Sequence, residues 1–400
     1  MIHRDQFAAK AQRALDPAWN SDPDLRKELG GRLNEFRARL SRMRRKEGAQ
    51  LRAEINRTIA SFDARLVATV MSFPRGQKPI SPGELCKWAH ACKPWLAAAE
   101  PAEIWWIKKD IGERPIFDFA PERRAAQWLA ARIIEAAMGA SPFEFARKGG
   151  GPNLALVKLR EAIQTKGGPR WFSIIDIKDC YRSISRNGIY ALLPLPRSVI
   201  DNTIFLPTKE EHLITTSSPN AVPIRIPQGS LASNIVAAKV MQSILEGLSG
   251  FPKMVHGDDL LIGSMNETEA LAVSGAALKL CKEHPAGPLK VKLQVTKFGR
   301  LFDYLGYRVR KQPKDFGGGV RLTPSAKSFE RFQRRMFERL VKARPGEFDT
   351  TERGYREQWM DSFPLWDRSE MGDELVEIEI AAHVIPAARK LRKSLYGLVN

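Results

Sequence analysis

The chain is poor in the features that mark secreted or membrane-embedded proteins. Only four residues are cysteine (Cys86, Cys92, Cys180 and Cys281), and they form no paired framework. That argues against a disulfide scaffold and for a reducing, cytoplasmic setting. Cys86, His90 and Cys92 share one short segment with Trp88 and Trp95, but a fourth ligand is missing and the spacing fits no zinc pattern, so core cysteines on a helix are expected. No run approaches the ~18 apolar residues of a spanning helix. The opening Met1-Ile2-His3-Arg4-Asp5 carries no signal-peptide pattern, and no membrane role is expected. Acids are also scarce relative to bases: 45 against 64 gives a formal charge of +19 and a pI near 9.9. A surplus that large calls for a polyanion, nucleic acid first and an anionic membrane surface second. There is no internal repeat and no long low-complexity segment.

The composition is otherwise that of a globular chain, 43% apolar. Four hundred residues exceed what one core usually serves, so two or three lobes are expected. In the charged first 70 residues, Leu29, Leu33, Phe36, Leu40 and Met43 follow one helical stripe, with Arg32, Arg37, Arg39, Arg42, Arg44, Arg45 and Lys46 on other faces. This is either a surface helix packed on its own protein or an arm that grips RNA or a partner. Pro74, Pro79 and Pro82 mark a linker before a helix over about 83–100. Residues 104–119 read as two strands around a turn at Asp110-Ile111-Gly112, with Lys108, Lys109 and Arg114 near its tip. Such cations are surface decoration or a triphosphate clamp. Helices are expected at 121–138 and 153–165, separated by Gly149-Gly150-Gly151-Pro152.

Trp171 to Asp176 is a buried-type strand ending in an acid, a common position for catalytic groups in enzymes with alternating strands and helices. Residues 194–226 form a connection with a hairpin over 202–216. Ile226-Pro227-Gln228-Gly229 then opens an apolar helix reaching about Leu248, and a further helix spans 267–283. Between them lies Met254-Val255-His256-Gly257-Asp258-Asp259-Leu260-Leu261-Ile262, which reads as a tight hairpin with two carboxylates at its tip. Adjacent carboxylates repel unless a cation is near both, so the tip is either a divalent-metal site or a solvated turn. Strands at 302–309 and a helical tail from about 320, striped by Phe329, Phe332, Met336 and Leu340, complete an α+β fold.

Taken in order, Asp176-Ile177-Lys178-Asp179-Cys180-Tyr181, Pro227-Gln228-Gly229 with Ser233, and His256-Gly257-Asp258-Asp259 resemble motifs A, B and C of reverse transcriptases. Phe302-Asp303-Tyr304-Leu305-Gly306-Tyr307 resembles the primer grip that follows them, and Lys108-Lys109 with Arg114-Pro115-Ile116 the segment that contacts the incoming triphosphate. The likeness covers roughly residues 100–310. It implies a right-hand polymerase with fingers at 96–175, palm at 176–312 (including the 194–226 connection) and helical thumb at 313–400. Residues 1–95 are a helical extension outside it.

The resemblance further implies phosphoryl transfer with two Mg²⁺ ions about 4 Å apart, Mn²⁺ being a substitute. Asp176, Asp258, Asp259 and the Ile177 carbonyl would be the ligands. Tyr181 would lie beneath the nucleotide sugar, where a ring collides with a 2′-hydroxyl and selects dNTPs. Gln228 and Gly229 would floor the nucleotide and template; Tyr304, Leu305 and Gly306 would hold the primer. Lys297 is a candidate to protonate pyrophosphate, with Lys290 and Lys292 as rivals. The partners implied are an RNA template, a structured non-coding RNA among bacterial enzymes of retron, group II intron-derived or defence type, together with a DNA product or primer and dNTPs. The family usually has an aromatic where His256 stands, and Gly257-Asp258-Asp259 is closer to RNA-dependent RNA polymerases. That activity and a non-catalytic RNA-binding scaffold are the competing expectations.

Overall fold

The structure, a computed structural model, describes residues 2–98, 102–108, 113–145, 150–206, 225–312, 319–344, 347–367 and 384–396. Lys109, the turn at 110–112 and most of the hairpin expected at 202–216 lie outside these residues. In chain order come α1 (Arg4–Leu15), α2 (Ala18–Ser21), α3 (Pro23–Met43), α4 (Gly48–Ala60), α5 (Phe62–Ser72), α6 (Pro82–Ala91), β1 (Glu103–Lys108), β2 (Glu113–Asp118), α7 (Pro121–Met138) and α8 (Pro152–Gln164). They are followed by β3 (Trp171–Ile177), α9 (Cys180–Ser183), α10 (Arg186–Leu192), α11 (Arg197–Thr203), α12 (Ser233–Glu246), β4 (Lys253–His256), β5 (Asp259–Ser264) and α13 (Glu267–Glu283). The last elements are β6 (Val291–Lys297), β7 (Phe302–Tyr304), β8 (Tyr307–Lys311), β9 (Val320–Pro324), α14 (Ala326–Lys342), α15 (Phe348–Asp361) and α16 (Ile385–Tyr396). The mixture of helices and antiparallel sheet is α+β. No helix among the described residues is long and apolar enough to cross a membrane.

The chain divides into two compact units, Met1–Glu144 with Ile175–Ser249 and Gly275–Lys292, and Phe145–Ile174 with Gly250–Ser274 and Leu293–Asn400. In the first, α5 is buried at Ala64 and from Leu66 through Ser72 and packs on α3, α6 and α7. The stripe expected on α3 buries Leu29, Leu33, Phe36 and Met43, while Leu40 is half-buried. Phe36 meets Trp128 of α7 at 6.0 Å between ring centroids. Helix α6 starts on a capping box, Ser81 with Glu84, and Pro82 in its first turn needs no amide donor. It ends at Ala91, well short of residue 100, because Pro94 disfavours helix in the residues before it. Cys92 is buried as expected and its thiol is pushed up to about 12 by burial. Cys86 is instead exposed, since it faces away from Leu85 and Ala89, the buried residues of α6. At the start of the expected 202–216 hairpin, Asn202 and Thr203 close α11 instead, Thr203 satisfying its hydroxyl on the Val199 carbonyl.

The loop after α13 is fixed to α10. Ser185 N–H donates to the Ala286 carbonyl at 2.8 Å, and a Cβ on Gly188 would meet Ala286 backbone at 2.2 Å. His284 accepts the Ala286 amide at Nδ1 (3.0 Å) and shares a 2.8 Å hydrogen bond with Ser243 through Nε2. Nδ1 is therefore unprotonated, the ring is the neutral Nε2–H tautomer, and burial depresses its pKa.

In the second unit, α14 lays Phe332, Met336 and Leu340 onto an aromatic cluster. Phe332 stacks on Trp359 at 4.3 Å and on Tyr355 at 5.5 Å, while Tyr307 meets Phe363 edge-on at 5.0 Å. Asp367 ties strand to helix, accepting from the Leu322 amide at 2.8 Å and from Arg160 at 3.4 Å. Strands β7, β8 and β9 form one antiparallel sheet, and β4, β5, β3 and β6, in that spatial order, form another.

Phe332→Ala should cost about 3–5 kcal/mol, because a fully buried ring and its stacking are removed; urea unfolding measures it. Because folding favours neutral His284, its contribution is whole above the unfolded value of about 6.5 and is lost as pH falls through the lower folded value. Stability curves of wild type and His284→Gln should therefore diverge less at pH 5 than at pH 7.5.

Candidate functional site

The hairpin β4–β5 pairs Lys253 with Ile262, Met254 with Leu261, Val255 with Leu260 and His256 with Asp259, leaving Gly257 and Asp258 as a two-residue turn. Gly257 has φ +69 with nothing within 4 Å of where a Cβ would be. Glycine is needed here for its backbone angle rather than for space, as in hairpin turns with glycine at the first central position. Met254, Val255, Leu260, Leu261 and Ile262 are buried, so the strands are anchored while Asp258 and Asp259 stay half-buried at the tip. His256, cross-strand from Asp259, is half-buried as well. Burial depresses its pKa, with Asp258 pulling weakly the other way, so the ring is held neutral near pH 7.

Asp176 is half-buried between Ile175 and Ile177, the penultimate residue of β3. The strand's other face is fixed by Ser173, whose Oγ lies 2.9 Å from Ser274 Oγ and 3.2 Å from the Ala270 carbonyl. After the strand, Lys178 N–H donates to the Lys290 carbonyl and Asp179 takes a left-handed conformation (φ +49), starting α9 with Tyr181 one residue inside it.

Around Tyr181 the first unit gathers several of the residues singled out in the sequence. Tyr181 Oη donates to Asn234 Oδ1 at 2.8 Å, and its carbonyl accepts the Ile226 amide at 3.1 Å. Ser233 Oγ donates to the Pro227 carbonyl at 2.6 Å, bending the Pro227-Gln228-Gly229 segment into the start of α12. The Gln228 carbonyl accepts the Phe117 amide of β2 at 2.8 Å. Gly229, at φ +108, approaches so closely that a Cβ would lie 2.2 Å from the Phe117 carbonyl oxygen. On the same hairpin, Arg114 is registered opposite Ile107 and Lys108 opposite Glu113. Asn234 and Phe117 had no distinguishing sequence signal. Asn234 stands in the motif B stretch only as a helix-opening polar residue, and Phe117 contributes only its backbone.

The other motifs belong to the second unit. Leu305 (φ +50) and Gly306 (φ +83) form the turn between β7 and β8, with Tyr304 buried before it. The Gly306 carbonyl accepts from the Ser325 amide and the Ser328 hydroxyl, both at 2.9 Å. Lys297 ends β6, exposed, with its ammonium 6.0 Å from the Trp171 ring centre. Among the described residues no group of three or more His, Cys, Asp or Glu side chains is gathered to hold a metal ion.

A family profile described as reverse transcriptase (RNA-dependent DNA polymerase) matches residues 108–309, just over half of the chain. The chain belongs to the reverse transcriptase family. It is an RNA-directed DNA polymerase, a nucleotidyltransferase, whose partners are an RNA template, a DNA primer or product and dNTPs. Enzymes of this family generally work with divalent metal ions. The comparison with curated proteins gave no match. The matched span of the reverse transcriptase begins at Lys108 and ends at Val309, so it contains every site residue named above. Helices α1 to α6 lie outside it.

Gly229→Ala should displace the Gln228–Phe117 contact, since both the positive φ and the 2.2 Å approach exclude a methyl. The expected cost is about 1–3 kcal/mol in thermal unfolding, together with reduced dNTP incorporation.

Proposed function

We propose that Asp176 and Asp258 are the two carboxylates that hold both metal ions, with Asp259 and the Ile177 carbonyl completing the set. The donors fit such ions, because carboxylate and carbonyl oxygens are the hard ligands Mg²⁺ prefers and Mn²⁺ accepts. Asp176 is the penultimate residue of β3 and Asp258 lies in the β4–β5 turn, and strand ends and tight turns are where such ligands are presented, which supports the assignment. When bound, two ions lower the pKa of the attacking 3′-hydroxyl and neutralise the triphosphate. The protein's own contribution is positioning: the hydroxyl, the α-phosphate and the leaving pyrophosphate must be held in line. Lys108, Lys109 and Arg114 are assigned to the triphosphate, Gln228 and Gly229 to the floor of the nucleotide site, and Tyr304, Leu305 and Gly306 to the primer. Lys297 is assigned as the proton donor to pyrophosphate.

The observation that carries the sugar-selecting role of Tyr181 is its hydrogen bond to Asn234 at 2.8 Å. A ring tethered at its hydroxyl is biased against swinging aside for a ribose 2′-hydroxyl, so it acts as a steric filter for dNTPs. Gly257-Asp258-Asp259 alone would point to an RNA-dependent RNA polymerase; the family match and the aromatic ring at Tyr181 speak against it. In architectural terms we assign fingers to 96–175, palm to 176–312 and thumb to 313–400, after a helical extension at 1–95. The chain's motif set is consistent with a cytoplasmic bacterial enzyme of retron, group II intron-derived or defence type that copies a dedicated structured RNA.

Primer extension with Mg²⁺ tests these roles. Wild type should incorporate dNTPs and Asp176→Ala and Asp258→Ala should not; full incorporation by Asp258→Ala would sink the assignment. Tyr181→Ala should raise ribonucleotide incorporation about 10–100-fold relative to dNTPs, the scale on which removing one steric barrier relaxes discrimination. Asn234→Ala should move it the same way by less. Unchanged discrimination in both would overturn the filter role of Tyr181, and only a preference for rNTPs that survives Tyr181→Ala would favour an RNA polymerase.

A further inference from the structure

Helices α3 and α4, outside the matched polymerase span, carry a concentration of charge that the activity at the carboxylates does not use. Residues 35–57 contain eight Arg or Lys and three Glu, five of the chain's nineteen net positive charges. Their arrangement is organised by one acid. Glu54 is buried, 1% exposed, and three cations converge on it: Lys46 at 2.7 Å, Arg42 at 3.4 Å and Arg57 at 3.4 Å. Burial would raise its pKa, but the Lys46 and Arg42 contacts outweigh it and hold the carboxyl below the usual range. Arg42 also reaches Glu35 at 3.3 Å, which pairs with Arg39 at the same distance.

The cage leaves its cations only partly spent. One carboxylate faces three positive charges, and the side chains of Arg42 and Arg57 remain 44% and 64% exposed. In the turn between the helices, Arg44 and Arg45 are exposed and make no ion pair with any described residue. Like charges packed this closely cost stability unless an external anion sits among them. Glu54 thus acts as a strut that fixes the spacing of cations it only partly neutralises.

We propose that the α3–α4 corner, centred on Arg42, Arg44, Arg45, Lys46 and Arg57, is a second RNA-contact surface that grips phosphates of a structured region of the RNA. The choice of RNA over a lipid surface comes from what surrounds the cations. Among residues 2–95 no large hydrophobic side chain is exposed, so there is no apolar wedge of the kind that seats a basic helix in a bilayer interface. Arginine in a fixed array suits phosphodiesters, which it contacts without reading sequence. The proposal takes from the polymerase assignment only that RNA is the polyanion at hand, and it concerns affinity rather than chemistry.

The test is a salt titration of full-length protein with a fluorescent hairpin RNA, without dNTPs, so that binding alone is read. Arg44→Ala combined with Arg45→Ala should weaken binding about 10-fold or more near 0.1 M salt. It should also lower the slope of log K against log salt by about two, roughly one for each phosphate that is no longer neutralised. Arg44→Lys with Arg45→Lys should keep the wild-type slope, and both proteins should melt at the wild-type temperature because these side chains are exposed. Asp258→Ala should bind as wild type does, so failure of the binding arm leaves the polymerase assignment standing. An unchanged slope in the alanine variant overturns the proposal. So does binding of the wild type, but not the alanine variant, to phosphatidylserine vesicles while RNA binding stays equal in the two.

Discussion

Two carboxylates on consecutive residues repel each other, and holding Asp258 beside Asp259 is the constraint to which the hairpin answers. The repulsion cannot be relieved by moving apart, because Asp259 is paired with His256 in the ladder and Asp258 occupies a two-residue turn. The work of holding them falls to Met254, Val255, Leu260, Leu261 and Ile262, whose burial fixes the strands. His256 is kept neutral by its own burial, so it neither screens the acids with a full charge nor takes a cation's place beside them. A tip that presents two adjacent carboxylates on firmly anchored strands suits the cation-binding role proposed for it.

The nucleotide-side residues depend on the opposite kind of constraint, close approach rather than repulsion. Gly229 brings backbone against backbone at Phe117, and the Gln228 carbonyl takes the Phe117 amide. The β1–β2 hairpin that carries Lys108 and Arg114 is thereby tied to the loop that opens α12, and through Ile226 and Asn234 to Tyr181. Each tie is a single hydrogen bond of ordinary strength, about 1 kcal/mol net. Together they hold Tyr181 in place for the sugar-facing role proposed for it.

Much of this was legible in the sequence where local chemistry dictates local structure. Glycine before two acids between apolar runs announces a hairpin, and helices α7, α8 and α13 lie within a residue of their expected spans, since caps, prolines and apolar periodicity act over a few positions. Pairings between distant residues were not legible. Nothing in the spacing of Tyr181 and Asn234 signals a hydrogen bond, and Glu54 reads as one more acid in a charged helix until the fold buries it among three cations. The interleaving of two units is equally invisible, because the chain passes between them several times and each crossing is set by tertiary packing alone. Cys86 shows the same limit, since a segment can be recognised as a helix without its buried face being known to the residue.

Leu305 points towards function on independent physical grounds. A leucine at φ +50 costs about 1–2 kcal/mol relative to right-handed backbone, and glycine or asparagine would remove the cost. The turn tolerates it because the surroundings over-determine the conformation. Gly306 follows at positive φ, its carbonyl is held by both Ser325 and Ser328, and the Leu305 side chain packs on the same core as Phe332. The leucine therefore couples the turn to α14: its side chain rests on the hydrophobic cluster under the helix while its neighbour's carbonyl caps the helix start. A turn built this way moves only if the helix moves, which suits the primer-holding role proposed for it.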